Sequence, residues 1–478
     1  MEPLSLLEKE KHMKTYLDYS NYKFHFTPPR GWMNDPNGMI YIDGTYHLFY
    51  QYYPYDTKWG PMHWGHAISL DLINFEHVPI ALCPDDEYIF SGSCVYDSDN
   101  VSGLAKDGRC ALLAFYTGHN KDNNIEKQCV AYSYDFIHFH KYDKNPIIDN
   151  AVINDDGITP KNDDGIDENQ ISSYKKDFRD PKVFKNPVKG GFSMALAVGN
   201  HIEFYHSNNL LNWKYTGEFK PYIYGYGGIC ECPDCIYFEA EDKWVLSMSM
   251  ICDSKASNPR LMQYFIGEFD GYTFAAYENE YPLCLDYGFD NYAMVSFSNC
   301  SDIIMIGWGE NWEYINSINA INNKCKMTIP RRVSLVKAPL GYRIRQEIFS
   351  SGIDRQKIVI ANGDTHILRS SHGQLEISNS NSKLIFKRTT DLLEDTDEDT
   401  DIDEHPDEKI DEKIDEKTDE KSGEKTVDET RNVLYDERMN ISVVDRCFTG
   451  ACELLIVEDN GYYEIFADDG LIVASIQI

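Results

Sequence analysis

The chain has 478 residues and a hydrophobic share of 42%, the composition of a folded protein too long for one ordinary compact core, so we expect two domains. Its formal charge of −33 opposes nucleic acid and anionic membranes as partners, because the summed field repels both. The sequence contains no run of about eighteen apolar residues, so no membrane-spanning helix is predicted. Its 33 Tyr and 23 Phe favour strands. An all-β protein is the first expectation.

Residues 1–24 form the first predicted segment, and they contain no apolar stretch of the length that a secretory signal needs. The thirteen cysteines are odd in number and scattered, which fits a reducing compartment better than a disulfide framework. We therefore expect a cytoplasmic protein. One cluster, residues 230–235 (Cys-Glu-Cys-Pro-Asp-Cys), lacks the paired second half of a zinc site, so we predict no metal and no cofactor.

A sequence pattern that recurs within residues 25–335 predicts a repeated β architecture. Each copy has an apolar strand, a polar turn and an aromatic residue; the turns begin at Ser69, Ser133 and Ser207, with a degenerate copy at Gly267. The steps of 64, 74 and 60 residues exceed the roughly 20 to 45 residues of solenoid repeats and suit four-stranded propeller blades with long loops. The range then holds five blades, although chance recurrence of turn residues is the alternative.

Residues 336–478 change to short alternating runs that predict a second β domain, a sandwich of modest size. This domain is interrupted at residues 391–430, where 20 acidic residues stand against 5 lysines and Asp-Glu-Lys recurs four times. Too few apolar groups are present there to offset the entropy of ordering the chain, so we expect a disordered acidic insertion. A solvated helix is the alternative, since Glu and Lys are good helix formers.

Three acidic residues share one local context. Asp35, Asp180 and Glu231 each stand next to a proline-containing turn that precedes an apolar run. Proline is tolerated at the first residue of a strand, so each carboxylate is expected at a strand mouth, and the innermost strands of a propeller converge on its central channel. Taken singly, each acid is better explained as a turn residue. Their common context, with tryptophans, amides and an arginine nearby, indicates a shared site for a sugar.

Four motifs, in this order, resemble those of glycoside hydrolase family 32, the family of invertases, sucrose-6-phosphate hydrolases, inulinases and levanases. They are residues 32–38 (Trp-Met-Asn-Asp-Pro-Asn-Gly), 90–93 (Phe-Ser-Gly-Ser), 178–181 (Phe-Arg-Asp-Pro) and 231–234 (Glu-Cys-Pro-Asp). The resemblance runs from about residue 25 to 335, and residues 463–466 (Tyr-Glu-Ile-Phe) resemble part of the family's C-terminal domain. It implies a five-bladed β-propeller followed by a C-terminal β-sandwich.

The resemblance also implies roles for the three acids: Asp35 as nucleophile, Glu231 as general acid and then base, and Asp180 as a stabiliser of the fructosyl group. A retaining glycosidase needs such a pair of carboxylates, roughly 5 to 5.5 Å apart. Further side chains match positions in or beside the family's sugar pocket: Asn34, Gln51, Trp59, Phe90, Ser91, Arg179 and Trp308. Packing around the channel is the alternative role for these side chains.

We therefore expect retaining hydrolysis of the β-fructofuranosyl bond of sucrose or sucrose 6-phosphate, which releases fructose and glucose or glucose 6-phosphate. An inulin, levan or fructo-oligosaccharide hydrolase is the alternative, followed by a fructosyltransferase or a non-catalytic fructan-binding protein. Residues 290–295 read Asp-Asn-Tyr-Ala-Met-Val where the family commonly has Asp-Phe-Tyr-Ala-Pro-Gln, which leaves the preferred leaving group open. The choice between a monomer and a homo-oligomer is open too, since family sandwiches sometimes mediate assembly.

Overall fold

The structure is a computed structural model. It describes residues 16–153, 171–221, 228–252, 260–278, 283–338, 341–360, 365–371, 374–378, 383–387, 433–434, 445–449 and 452–477. The acidic insertion expected at residues 391–430 lies outside these ranges. In the described part the helical elements are the 3-10 turns Tyr19–Asn21 and Asp468–Gly470 and the α-helix Trp312–Ile315. No helix among the described residues is long and apolar enough to cross a membrane.

Five four-stranded antiparallel sheets follow one another along the chain and form the blades of a β-propeller, as expected. Blade 1 contains Gly31–Ile42, Thr45–Tyr53, His63–Ser69 and Phe75–His77, and blade 2 contains Glu87–Asp97, Ala111–Asn120, Glu126–Ser133 and His140–Lys141. Blade 3 contains Phe178–Lys185, Phe192–Val198, His201–Ser207 and Lys214–Phe219, and blade 4 contains Ile229–Phe238, Lys243–Ile251, Arg260–Phe269 and Phe274–Ala276. Blade 5 contains Tyr292–Ser296, Ile303–Trp308, Arg331–Ala338 and Gly341–Ile348.

The polar part of the recurring sequence pattern is the turn between the third and fourth strands of a blade. In blade 1 the Ser69 hydroxyl accepts a hydrogen bond from the N–H of Leu72 at 2.8 Å, and in blade 3 the Ser207 hydroxyl accepts one from Leu210 at 2.8 Å. Both leucines adopt the left-handed conformation, with φ of 60° and 65°. In the degenerate copy of blade 4, Asp270 accepts from two N–H groups of the same turn. The repeat is therefore one local turn used in successive blades.

Apolar side chains fill the space between each pair of neighbouring blades, so the propeller core consists of five layers. Representative buried pairs, from the blade 1/blade 2 layer round to the blade 5/blade 1 layer, are Phe49 and Leu112, Leu113 and Met194, Phe204 and Met248, Ile266 and Met305, and Ile306 and Leu48. The ring is closed by backbone hydrogen bonds between blades 1 and 5, where Ser298 donates to Met39 and accepts from Tyr41.

Short strands outside the blades are Tyr16–Leu17 paired with Asn319–Ala320, Asn323–Lys324 paired with the start of blade 1, Ala151–Ile153 paired with Ile171–Tyr174, and Leu283–Cys284 paired with blade 4. The domain boundary expected at residue 335 falls inside a strand of blade 5, and the blade continues to Ile348. Its last two strands pair along their full length as a hairpin, so the chain leaves the propeller only after that hairpin.

The C-terminal β-sandwich has two sheets. One contains Gln356–Ile360, Cys452–Asp459, Tyr462–Ala467 and Ile472–Gln477; the other contains Thr365–Ser371, Gln374–Ser378, Lys383–Lys387, Val433–Leu434 and Asp445–Thr449. The first sheet contacts blade 5 through Arg331, whose fully buried guanidinium lies 3.0 Å from Asp286 and 2.6 Å from Glu464. This buried network connects the propeller with the sandwich, and removing one partner of such a pair costs roughly 3 to 5 kcal/mol because it leaves a buried charge unpaired.

Candidate active site

The innermost strand of every blade carries a β-bulge near the same end of the propeller. The pairing register shifts between Met33 and Pro36, Ile89 and Gly92, Arg179 and Lys182, Glu231 and Asp234, and Tyr292 and Val295 in blades 1 to 5. A bulge leaves a residue unpaired, bends the strand and redirects its side chain. The five bulges therefore turn one or two residues of each blade toward the central channel.

The three acids do not precede their strands as the proline turns predicted; they lie inside them, at three of these bulges. Asp35 belongs to Gly31–Ile42, Asp180 to Phe178–Lys185 and Glu231 to Ile229–Phe238. The expectation of a turn was wrong because a bulge tolerates the missing N–H of proline as well as a strand start does. The convergence of the three carboxylates on one site does occur, since they come from blades 1, 3 and 4.

Asp35 accepts hydrogen bonds from neighbouring side chains and is affected by the negative charge of Glu231. Asn34 Nδ2 donates to its Oδ1 at 3.1 Å, and Ser91 Oγ donates to its Oδ2 at 2.8 Å. Burial raises the pKa of Asp35, the negative charge of Glu231 raises it further, and hydrogen bonds from Asn34, Ser91 and Cys232 lower it. The carboxylate is thus oriented by donors and exposed to the field of a neighbouring acid.

Asp180 is buried among charged groups. Burial, with repulsion from Glu231 and Asp35, raises its pKa to about 7, while Arg179 acts in the opposite direction. Its Oδ2 accepts the N–H of Cys232 at 2.9 Å, and its own N–H donates to Thr117 Oγ1 at 3.0 Å. Its φ of 64° lies in the left-handed region, which Asp tolerates better than most residues.

Both carboxylate oxygens of Glu231 accept hydrogen bonds. Arg179 donates to Oε1 from Nη2 at 2.8 Å and from Nε at 3.3 Å, and the Tyr292 hydroxyl donates to Oε2 at 2.5 Å. Arg179 also pairs with Asp177 at 2.7 Å. The carboxyl group of Glu231 therefore has one orientation, fixed from blade 3 and blade 5.

Cys232 connects the other two acids. Its Sγ lies 3.6 Å from Asp35 Oδ2 and 3.6 Å from Asp180 Oδ2. One buried thiol thus contacts an oxygen of each of these two carboxylates. The neighbouring cysteines, Cys230 and Cys235, are buried free thiols as well.

The side chains expected to line the sugar pocket divide into two groups. Asn34, Ser91 and Arg179 contact the acids directly. Gln51 is buried and contacts blade 2, where its Nε2 donates to the backbone carbonyl of Ile89 at 3.0 Å.

The aromatic candidates occupy different positions. Trp59 is 41% exposed and its ring lies edge-on to Phe90 at 6.2 Å, so both rings stand at the opening of the site. Trp308 is fully buried and packs against Trp32 and Trp312 at 6.3 and 4.8 Å. Trp308 therefore lies in the core behind the site, and its buried ring has no face available for a sugar.

Sequence reasoning assigned no site role to Tyr292 and Thr117. Tyr292 matches the tyrosine of the family pattern at residues 290–295, although other residues of that segment differ from the pattern. Its neighbours in sequence give no sign that its hydroxyl reaches blade 4. Thr117 accepts the N–H of Asp180 and donates to Gln128 at 2.8 Å, while Gln128 donates to Phe178 at 2.7 Å. This polar chain from blade 2 fixes the bulge of blade 3 that carries Asp180.

Comparison with known proteins identifies the family. The model of the glycosyl hydrolases family 32 N-terminal domain matches residues 25–347. The chain belongs to glycosyl hydrolase family 32. Its matched range ends one residue before the last strand of blade 5 does, so the family 32 domain and the propeller coincide.

Two similar family 32 proteins are named for fructans. The chain is 40% identical over 339 residues to a levanase of Bacillus subtilis (strain 168), a region that covers 68% of this chain and 46% of the levanase. It is 34% identical over 350 residues to an extracellular exo-inulinase of Aspergillus awamori, covering 66% of this chain and 62% of that protein. The chain thus matches less than two thirds of the length of these relatives.

A solved structure extends the likeness to the whole fold. The exo-inulinase crystal structure from Aspergillus awamori superposes with a TM-score of 0.68 at 26% identity, and it covers 96% of this chain and 92% of that chain. Both the propeller and the sandwich therefore have counterparts in one solved protein.

Proposed function

We propose that this family 32 chain hydrolyses terminal β-fructofuranosyl bonds with retention of configuration. The observation that carries the proposal is the meeting of three carboxylates from three blades. Cys232 Sγ lies 3.6 Å from both Asp35 and Asp180, and the charge of Glu231 acts on Asp35. A glycosidase that retains configuration requires two closely spaced carboxyl groups, one as nucleophile and one as acid and base.

In the proposed mechanism Asp35 attacks the anomeric carbon while Glu231 protonates the departing oxygen. The hydrogen bonds from Asn34 and Ser91 stabilise the anionic form of Asp35 against the cost of its burial. The fructosyl-enzyme is then released by water, which Glu231 deprotonates. Arg179 and Tyr292 keep the Glu231 carboxyl in place through both steps.

Asp180 is proposed to bind the fructosyl hydroxyl groups. With a pKa of about 7 it is protonated in the free site at mildly acidic pH, so it can both donate and accept hydrogen bonds there. Such bonds strengthen as positive charge develops on the sugar in the transition state. Its role is therefore to position and stabilise, and the covalent bond forms at Asp35.

The sequence motifs led us to expect sucrose or sucrose 6-phosphate as the substrate. Sucrose is the first candidate substrate of the proposal. The names of the relatives at 34% and 40% identity add weight to the second candidate, hydrolysis of inulin- or levan-type fructans from the chain end. The cytoplasmic location stays a prediction. It bears on this choice because polymers are usually met outside the cell.

The proposal is tested by incubating the protein with sucrose and nystose in the presence of methanol. Retention gives methyl β-fructofuranoside, which proton NMR distinguishes from the α anomer because the methyl group locks the anomeric centre. Asp35→Asn is expected to abolish fructose release with the fold retained, as judged by circular dichroism. An α product, or an active Asp35→Asn protein, would overturn the assigned roles.

Two other functions give different results in the same experiment. A fructosyltransferase shares the covalent intermediate and would form longer oligosaccharides at high sucrose concentration in place of free fructose. A non-catalytic fructan-binding protein would bind nystose with no turnover at any pH.

A further inference from the structure

Four aromatic rings form a continuous wall on one side of the site opening. Trp59 lies edge-on to Tyr88 and Phe90, at 6.2 Å from each. His119 stacks on Phe90 at 4.4 Å with an interplanar angle of 11°, and on Tyr88 at 6.1 Å with an angle of 26°. We call Trp59, Tyr88, Phe90 and His119 the aromatic wall.

The aromatic wall begins at the acids and extends outward. Phe90 precedes Ser91, whose hydroxyl donates to Asp35, so the inner end of the wall borders the proposed fructosyl pocket. Tyr88 is two residues nearer the start of the same strand, which is about 7 Å along it. Since the bulges lie near the start of each innermost strand, Tyr88 stands between the pocket and the opening of the site.

The wall is supported from behind. His119 is opposite Tyr88 in the strand pairing, and its Nδ1 lies 3.4 Å from Glu126 Oε1. Glu126 is itself fixed by the N–H of Phe178 at 2.7 Å. The rings are therefore preorganised, which reduces the entropy cost of binding a ligand against them.

The charged side chains behind the wall have partners of opposite charge. Lys127 lies 2.7 Å from Glu87, and Arg179 lies 3.5 Å from Glu126. Such a surface suits a neutral ligand, and a sugar ring offers apolar C–H faces to aromatic rings.

We propose that the aromatic wall binds the second and third sugars of a neutral fructan chain, and that Tyr88 and His119 are specificity-determining residues for chain length. The inference rests on the proposed fructosyl hydrolysis and deepens it. A disaccharide places a single leaving sugar beside Trp59 and Phe90, whereas a longer chain also covers Tyr88 and His119. The wall therefore favours oligosaccharides over sucrose.

The test compares kcat/KM for sucrose, sucrose 6-phosphate and the tetrasaccharide nystose in the wild type and in Tyr88→Ala. We expect the nystose-to-sucrose ratio to fall about 3- to 10-fold in Tyr88→Ala, the loss of one aromatic stacking contact. Tyr88→Phe, which keeps the ring, restores the wild-type ratio. The matched control is Tyr272→Ala, a 43% exposed aromatic on the outer turn of blade 4, which leaves the ratio unchanged. An unchanged ratio in Tyr88→Ala overturns the inference and leaves the proposed hydrolysis standing.

A binding measurement separates the failure of the wall from the failure of the proposed function. Titration calorimetry with nystose is carried out on Asp35→Asn and on the double variant Asp35→Asn/Tyr88→Ala, so turnover is not needed. The wall predicts that the double variant binds nystose about 3- to 10-fold more weakly. Equal affinities overturn it, whether or not the wild type hydrolyses any of the sugars.

Discussion

Asp180→Asn is expected to stabilise the folded protein at neutral pH while it disables the site. The pKa of Asp180 rises from 3.8 to about 7 on folding, so the folded chain keeps a proton that the unfolded chain loses as the pH passes 4. The contribution of this carboxyl to stability is therefore fully present below pH 4 and is lost as the pH rises through 7. Asparagine removes the charge, keeps the acceptor for the Cys232 N–H, and tolerates the φ of 64°.

The size of the effect is set by the two pKa values. Each pH unit between them costs about 1.4 kcal/mol of folding free energy, which gives a ceiling of roughly 4 kcal/mol over the whole interval. Between pH 5 and pH 8 the wild type loses about 2 to 3 kcal/mol through Asp180 alone, since the loss levels off above the folded-state pKa of about 7. The stability of Asp180→Asn relative to the wild type should rise by that amount over the same range.

The assay is urea unfolding followed by tryptophan fluorescence at pH 5 and pH 8, combined with kcat/KM for sucrose at both pH values. Activity should fall about 100- to 1000-fold, the usual loss when one group that stabilises a transition state is removed. The matched control is Asp71→Asn in the turn of blade 1. Burial raises the pKa of Asp71, but its backbone and side-chain hydrogen bonds together outweigh burial and lower that pKa to about 2, so this change should destabilise at neutral pH. A stability difference between Asp180→Asn and the wild type that is the same at pH 5 and pH 8 would refute the reasoning.

Two further substitutions test the support of the site. Ser91→Ala removes the 2.8 Å hydrogen bond to Asp35 and thereby raises the pKa of that carboxyl, so the acid limb of the pH profile for kcat/KM should move to higher pH with about a 10-fold loss of activity. An unmoved acid limb would contradict Asp35 as the ionised nucleophile. Gly288→Ala places a Cβ at 2.1 Å from the backbone oxygen of Ser475 and should lower stability by about 1 to 3 kcal/mol in thermal unfolding. An unchanged Tm would show that the junction between propeller and sandwich yields at low cost.

The junction at Gly288 matters for the site because the chain continues from it directly to Tyr292. Phe289 and Asp290 both donate backbone hydrogen bonds to Ser475 in the last strand of the sandwich, at 2.9 and 3.1 Å. Tyr292, two residues further on, donates to Glu231. The sandwich thus holds the segment that leads to a side chain of the proposed active site.

Local chemistry is readable from the sequence. The repeated turns at Ser69 and Ser207 are recognisable because their hydrogen bonds join residues two or three apart, and such bonds depend on the neighbouring residue types alone. The family motifs around Asp35, Asp180 and Glu231 are likewise continuous stretches of a few residues. Fold class, family and the identity of the three acids therefore came from sequence alone.

The tertiary structure decided everything that depends on which strand lies beside which. A bulge exists only relative to a partner strand, so the proline after Asp35 predicts a turn when the sequence is read alone. The partner of Glu231 at Tyr292 lies 61 residues away on another blade, and nothing local marks it. Trp308 was expected to face the sugar, but its packing against Trp32 and Trp312 buries it. Contacts between blades form from residues far apart in sequence, and their geometry is set by packing that no single segment contains.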